Sequence, residues 1–216
     1  MRSLTPLEAR VLGVLVEKQH TVPDTYPLSL NALTAGCNQK TARFPVIEAT
    51  DAEVMTAVDG LKSLSLVFEG SGSRVVKYEH NMARVLGVPG QAVALLTVLM
   101  LRGPQTAAEL RLNCERLYKF ADISSVEGFL EELAAKEPPR VVKLARAPGS
   151  REARWAHLLC GEVAEASTAA LLDGGGGVSA GEIAALKAEQ TRLAAEVDAL
   201  KALVHRLARE LGVEPE

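Results

Sequence analysis

One pattern occurs twice in the first 160 residues and limits the folds open to this chain. It consists of three helix-forming segments followed by two β-prone runs around a glycine-containing turn. In the first copy, helices are predicted from Thr5, Leu28 and Thr50, and a hairpin is predicted between Leu66 and Tyr78. The motifs TPLE and TDAE, which open the first and third helices, are capping boxes. Three helices and a hairpin in this order are typical of a winged helix-turn-helix unit.

The second copy of the pattern begins at Pro89. Helices are predicted from Pro89, from the capping box TAAE at Thr106 and from the capping box SSVE at Ser124. Residues 141–144 and 153–156 flank a Pro-Gly-Ser turn and predict a second hairpin. Two apolar positions also correspond, Leu33 and Cys37 in the first copy and Leu110 and Cys114 in the second. Because order, caps and hairpin recur together, a tandem duplication is predicted, and the alternative is two ordinary helical segments with common caps.

These patterns predict a mainly α fold with small β-hairpin wings, of the α+β class. Residues 1–87 are predicted to form the first winged-helix unit and residues 88–160 the second. Residues 161–178 read as a linker with a glycine-rich break, and residues 179–213 as a C-terminal coiled-coil helix.

A heptad repeat in the last predicted helix indicates self-association. Branched residues at most a positions with leucine at d favour a parallel two-stranded coiled coil, and Gln190 at an a position is suited to set the register. The alternative is an amphipathic helix that folds back on its own chain. A homodimer is therefore predicted, with these residues in its interface: Ile183, Leu186, Gln190, Leu193, Val197, Leu200, Val204 and Leu207.

Composition excludes several classes of protein. The net charge is −3, so no strongly basic surface indicates nucleic acid. The longest apolar run, residues 92–101, is about half of the ~20 residues that a membrane-spanning helix needs. The chain shows no secretory signal pattern, and its three cysteines lie far apart. We expect a cytoplasmic protein with no membrane partner and no disulfide framework.

No catalytic motif is found in the sequence. There is no GxSxG, phosphate-binding loop or HExxH motif, and the four histidines are scattered. Cys37 and Cys114 hold equivalent helix positions, so they are expected in the core. We expect no enzyme activity, no metal and no cofactor.

Candidate contacts to nucleic acid lie mainly in the predicted wings. Residues 88–160 carry ten Lys and Arg against eight Asp and Glu, and the wing cations could contact phosphate. They are Arg74, Lys77, Lys143, Arg146, Arg151 and Arg154. The third helix of a helix-turn-helix normally reads the bases, but here both third helices carry acidic residues on their exposed positions.

The loop after the second helix offers other candidates. If the first unit binds nucleic acid, Gln39, Lys40 and Arg43 are expected to make the contacts. In the alternative, Asn31 and Asn38 cap the second helix and its exit, and Lys40 and Arg43 are simply solvated.

Several motifs resemble the YceH family of bacterial proteins. They are LTPLEARVLG from Leu4, PDTYPLSLNAL from Pro23, CNQK from Cys37 and RGPQT from Arg102. The resemblance covers roughly residues 3–160 and implies a tandem winged-helix fold, but it carries no catalytic residue. The resemblance marks six residues as a signature. The chain departs from the family's pattern at Phe44, where a polar or acidic residue is expected in relatives. The six are Tyr26, Asn31, Asn38, Gln39, Lys40 and Arg43.

Two functions are consistent with these observations. The first is a dimeric DNA-binding regulator, with its wings on phosphate and the loop from Asn38 to Arg43 near the bases of double-stranded DNA. The second is a scaffold that binds another protein, which the acidic third helices favour.

Overall fold

Helices, a short strand and a hairpin make up the first half of the structure. The computed structural model describes residues 2–70, 75–146 and 152–163. A 3-10 turn at Pro23–Thr25 follows the first helix. The elements are α1 (Pro6–Thr21), β1 (Leu28–Ser29), α2 (Leu30–Cys37), α3 (Asp51–Ser63), β2 (Val67–Gly70), β3 (Lys77–His80) and α4 (Met82–Leu86).

The second half repeats the order of three helices and a hairpin. Its elements are α5 (Gly90–Arg102), α6 (Ala107–Asn113), α7 (Ile123–Ala134), β4 (Val141–Lys143) and β5 (Trp155–His157). The predicted α+β class, with small antiparallel hairpins attached to helices, is confirmed. β1 and α4 were not predicted. A strand of two residues and a helix of five carry too little periodicity to be seen in the sequence.

The strand pairing extends the correspondence between the halves. β1 pairs antiparallel with β3, which pairs with β2, so the sheet order is β1-β3-β2. In the second half, β4 pairs with β5, and Gln105 forms a bridge with Trp155 through two backbone hydrogen bonds of 3.1 and 2.7 Å. β1 and Gln105 both come just before the second helix of their unit. The two halves therefore share a contact that no sequence motif had indicated.

Most helix starts lie where the sequence predicted them. Thr5, Thr50 and Thr106 each cap a helix, and each takes part in a complete capping box. The prediction that Ser124 opens α7 was wrong. The cap is Asp122, whose Oδ1 accepts a hydrogen bond of 2.7 Å from the backbone N–H of Ser125. An aspartate oxygen caps as well as a serine hydroxyl, so local pattern alone left the choice open.

The core runs through both halves. α1 and α5 pack against each other, and residues 8–16 of α1 and 92–101 of α5 are buried. A Cβ added to Gly13 of α1 would lie 2.9 Å from Cδ2 of Leu101 in α5, so the missing side chain permits this close approach. The buried apolar residues of the two halves form one continuous cluster. The core is thus not divided at residues 87 and 88, and the predicted domain boundaries stay predictions.

Some predictions fall on residues outside those described. Arg74 and Arg151 fall in the ranges 71–74 and 147–151, which are outside the described residues. The glycine-rich break and the coiled-coil heptad lie in the range 164–216. The dimer interface, from Ile183 to Leu207, is therefore not tested by the structure.

Candidate functional site

Arg43, the central cation of the candidate loop, is buried. Its side chain is 0% exposed, and its guanidinium donates hydrogen bonds of 2.6 and 3.1 Å to the carboxylate of Glu17 in α1. Its Nε donates to the carbonyl of Gly36, and its Nη1 donates to the carbonyl of Ala42. The expectation that Arg43 contacts nucleic acid, or is simply solvated, is corrected: its hydrogen bonds are made inside the protein.

The ion pair sets the charge state of Glu17. Burial raises the pKa of this carboxyl, but the hydrogen bonds and the charge of Arg43 outweigh it, so the net shift lowers the pKa. A carboxylate held ionised beside a fully buried guanidinium is typical of a structural ion pair. The pair ties the loop after α2 to α1.

Asn38 and Gln39 also support the loop internally. The side chain of Asn38 donates to the carbonyl of Ala49 and accepts from its N–H, both at 2.8 Å. Gln39 donates to Thr41 and accepts a hydrogen bond of 3.3 Å from Lys18. Asn38 thus bridges the two ends of the loop from residue 38 to residue 49. Among the four polar candidates of this loop, Lys40 alone is exposed with no ion pair or hydrogen bond to described residues.

Tyr26 and Asn31 differ in their surroundings. The Tyr26 hydroxyl accepts a hydrogen bond of 2.8 Å from the backbone N–H of His80, and burial raises the pKa of Tyr26 to about 12. Tyr26 therefore holds the turn before β1 against the end of β3. Asn31 is exposed on α2, whose cap is Ser29 rather than Asn31.

The wing cations are only partly available to a ligand. Arg154 donates to both carboxylate oxygens of Glu109, at 2.9 and 3.1 Å, and to the carbonyl of Pro104. This ion pair joins the residue before β5 to α6, and since 37% of the Arg154 side chain is exposed, its contact with phosphate stays a prediction. Lys143 and Arg146 are exposed, and the ammonium of Lys143 lies 5.3 Å from the ring centre of Trp155. Lys77 is half-buried in β3.

The third helices carry acidic exposed surfaces. The exposed positions are Asp51, Ala52, Glu53, Thr56, Asp59 and Ser63 in α3, and Ile123, Ser124, Glu127, Gly128, Glu131 and Glu132 in α7. Both helices lie entirely within the described residues. α7 has no Lys or Arg, and the one cation of α3, the partly exposed Lys62, forms ion pairs with Asp59 and Glu69. Each of these helices would therefore repel a phosphate backbone.

A cavity of about 740 Å³ lies between α1, the loop before α3, the end of α5 and residues 156–163. We call it the junction cavity. Its wall is mainly apolar, and its charged or titratable lining residues are Arg10, Glu48, Glu53, His157, Cys160 and Glu162. Burial lowers the pKa of His157 to about 4, so this imidazole is neutral at pH 7.

The cysteines are poor nucleophiles. Burial raises the pKa of Cys37 and Cys114 to about 12, and that of Cys160 to about 11. Cys37 and Cys114 are fully buried, as their equivalent helix positions predicted. Within residues 2–70, 75–146 and 152–163, no group of three or more His, Cys, Asp or Glu side chains could hold a metal ion.

The structural roles of two charged residues of α1, the buried Arg10 and the part-buried Glu17, were not predicted. Arg10 is 3% exposed and donates to the carbonyls of Cys37 and Pro45, at 3.0 and 2.6 Å. Arg10 and Glu17 lie seven residues apart, on the same helical face as Val14. A charged residue inside an apolar stripe was the signal that could have indicated their burial.

Comparison with known proteins places the chain in a family. Residues 4–150 match the family model described as "Protein of unknown function, DUF480". The chain belongs to this family. It is 71% identical over 216 residues to a UPF0502 protein of Burkholderia multivorans, an alignment that covers 99% of this chain and 92% of the relative. A UPF0502 protein of Leptothrix cholodnii is 68% identical over 218 residues, covering 98% and 97%. The resemblance to the YceH family is thereby confirmed.

Within the described ranges, no helix combines the length and the apolar character that crossing a bilayer requires. The apolar run of residues 92–101 lies in α5, where the core buries it.

Proposed function

We propose that this protein is a non-enzymatic winged-helix protein that binds another protein through the acidic surfaces of α3 and α7. The observation that carries the proposal is that the helices expected to read DNA expose three carboxylates each, while their one cation, Lys62 of α3, is paired with Asp59 and Glu69. A protein partner with basic side chains would complement these surfaces, whereas DNA would be repelled.

The winged-helix assignment is supported by strand order. In the first unit, a short strand between the first and second helices joins the hairpin at β3. The bridge between Gln105 and Trp155 takes the same place in the second unit. In both units, the segment before the second helix therefore adds to the second strand of the hairpin, a strand order that a winged-helix unit would have.

The ion pairs formed by two of the candidate cations also favour a protein partner. Arg43 and Arg154 make ion pairs with Glu17 and Glu109, so two of the expected phosphate or base contacts are occupied. Loss of the Arg43 pair to DNA would leave the part-buried Glu17 carboxylate without its partner, at a cost in free energy, whereas the exposed pair of Arg154 and Glu109 contributes little.

Site-specific photo-crosslinking in cells tests the proposal directly. A photoreactive residue is placed at Thr56 of α3 or Gly128 of α7, both exposed, and at Arg116 as a control exposed elsewhere. A Cβ at Gly128 meets no atom within 4 Å, so the replacement fits. We expect adducts at Thr56 and Gly128 that protease removes and nuclease does not, with no such adduct at Arg116. Adducts removed by nuclease would contradict the proposal.

DNA binding is the second candidate, because Lys143 and Arg146 are exposed beside the second hairpin. It predicts binding to random-sequence duplex that weakens steeply with salt and is lost in a Lys143→Glu, Arg146→Glu variant. Fluorescence anisotropy at several salt concentrations separates the candidates, since we expect weak binding with little dependence on these two residues.

The predicted homodimer and the cytoplasmic setting stay proposals. If the heptad pairs two chains, Leu193→Glu with Leu200→Glu places charges at two d positions and halves the mass measured by light scattering. An unchanged mass would place any dimer interface elsewhere.

A further inference from the structure

The junction cavity has the size and wall of a binding site. Its volume of about 740 Å³ lies within the ~300–1,000 Å³ typical of ligand pockets. Leu7, Ile47 and Met100 supply apolar wall from α1, the loop before α3 and α5. Val46, next to the cavity in sequence, is 53% exposed. An apolar group that enters this cavity would leave water for an apolar surface.

The charges around the junction cavity are mostly negative. Glu48, Glu53 and Glu162 contribute carboxylates, and within the described residues none of the three forms an ion pair. Glu48 and Glu162 are exposed, so they are free to meet a partner. Glu53 belongs to the first turn of α3, so the acidic surface of that helix continues to the cavity.

Arg10 does not offset the negative charge of the carboxylates around the junction cavity. It is 3% exposed, and its guanidinium donates to the carbonyl of Cys37 and to that of Pro45, which lines the cavity. Its Nε is enclosed and has no hydrogen-bond partner, so a ligand in the cavity does not reach that atom. His157 is neutral at pH 7. Three carboxylates therefore face one guanidinium that is already bound to backbone.

We propose that the junction cavity binds a peptide segment of a partner protein that combines apolar side chains with Lys or Arg. This rests on the proposed function and names the chemistry of its partner. The apolar side chains enter the cavity, and the cations reach Glu48 and Glu162 at its rim. Charge complementarity selects a basic segment over an acidic one.

Selection from a random 12-residue peptide library displayed on phage, with the full chain as bait, tests the proposed chemistry. We expect enriched peptides to carry apolar residues with Lys or Arg and to be depleted of Asp and Glu. Enrichment of acidic peptides, or no enrichment, would overturn the proposal.

Methyl NMR then places the site. The chain has three isoleucines, of which Ile47 lines the cavity and Ile123 is 43% exposed on α7. On titration with an enriched peptide, the δ1-methyl signal of Ile47 should shift and that of Ile123 should stay. A signal of Ile47 that does not move with bound peptide would also overturn the proposal.

A matched pair of variants tests the rim charges. Glu48→Gln with Glu162→Gln should weaken peptide binding about threefold to tenfold, because exposed ion pairs each contribute less than about 1 kcal/mol. Glu115→Gln with Glu152→Gln removes two exposed carboxylates elsewhere and should leave binding unchanged. Equal effects of the two pairs would refute a role for the rim.

The experiments distinguish failure of the cavity proposal from failure of the proposed function. A protein adduct at Thr56 together with an unmoved Ile47 signal would leave the proposed function standing and reject the cavity. A nuclease-sensitive adduct would reject the proposed function whatever the peptides do.

Discussion

Some residues that the sequence marked as candidate contacts to DNA instead make hydrogen bonds within the protein and stabilise the fold. Arg43 and Asn38 are polar residues of a loop, where exposure is the usual expectation. Arg43 instead inserts between α1 and α2, and Asn38 bridges the loop ends. A set of polar residues that forms a family signature can therefore mark a loop held by internal hydrogen bonds as well as a binding site.

Arg43→Ala is expected to lower the free energy of unfolding by about 3 kcal/mol, because it leaves the part-buried Glu17 carboxylate without its partner. Lys40→Ala, three residues away and exposed, should change it by less than about 0.5 kcal/mol. Urea denaturation measures both. Equal effects would contradict the burial of Arg43.

His80 predicts a pH dependence of stability. Burial, with a smaller effect of His20, lowers the pKa of His80 to about 4 from its ordinary 6.5. Its Nδ1 accepts from the N–H of Met82 and its Nε2 lies 2.6 Å from Gln19 Oε1, an arrangement that fits the neutral imidazole.

Between pH 6.5 and 4 the unfolded chain binds the His80 proton and the folded chain does not, so stability falls as the pH falls through this window. His80→Gln should reduce the slope of the unfolding free energy against pH there without abolishing it, because burial lowers the pKa of His157 to about 4 as well. His20→Gln serves as the control with a much smaller change. An unchanged slope in His80→Gln would argue against a buried neutral imidazole.

At the scale of elements, caps decide where helices begin. Three of the four capping boxes predicted from the sequence are present, and the fourth is displaced to Asp122. Since the oxygen of Asp122 accepts from Ser125 N–H, Ser124 has no role in the cap.

Asp122→Ala should therefore destabilise the protein by about 1 kcal/mol, the usual effect of losing an N-cap side chain. Ser124→Ala, at an exposed position in the first turn of α7, should be nearly neutral. Thermal unfolding of the two variants, compared with the unmodified chain, distinguishes the caps. The reverse order of effects would restore Ser124 as the cap.

At the scale of the whole molecule, the repeated units share one core. α1 and α5 are the first helices of the two units and pack against each other. Their contact buries the most apolar segments of the chain, which two separate domains would each have had to cover alone. The junction cavity also draws its wall from both units.

Leu99→Ala, in the middle of α5 at a fully buried position, tests this shared core. We expect a loss of about 3 kcal/mol and, because the units are coupled, faster amide exchange in α3 as well as in α7. Hydrogen exchange by mass spectrometry resolves the two helices. Exchange that changes in α7 alone would indicate independent units.

Local patterns in the sequence determined the order of helices and hairpins, three of the helix starts and the burial of Cys37 and Cys114. These features depend on residues close together in the chain, where spacing and capping act directly. Only the tertiary structure decided that Arg43 meets Glu17, that Arg154 meets Glu109 and that α1 lies on α5. These pairs are distant in sequence, and nothing in a local pattern specifies which distant residue a side chain meets.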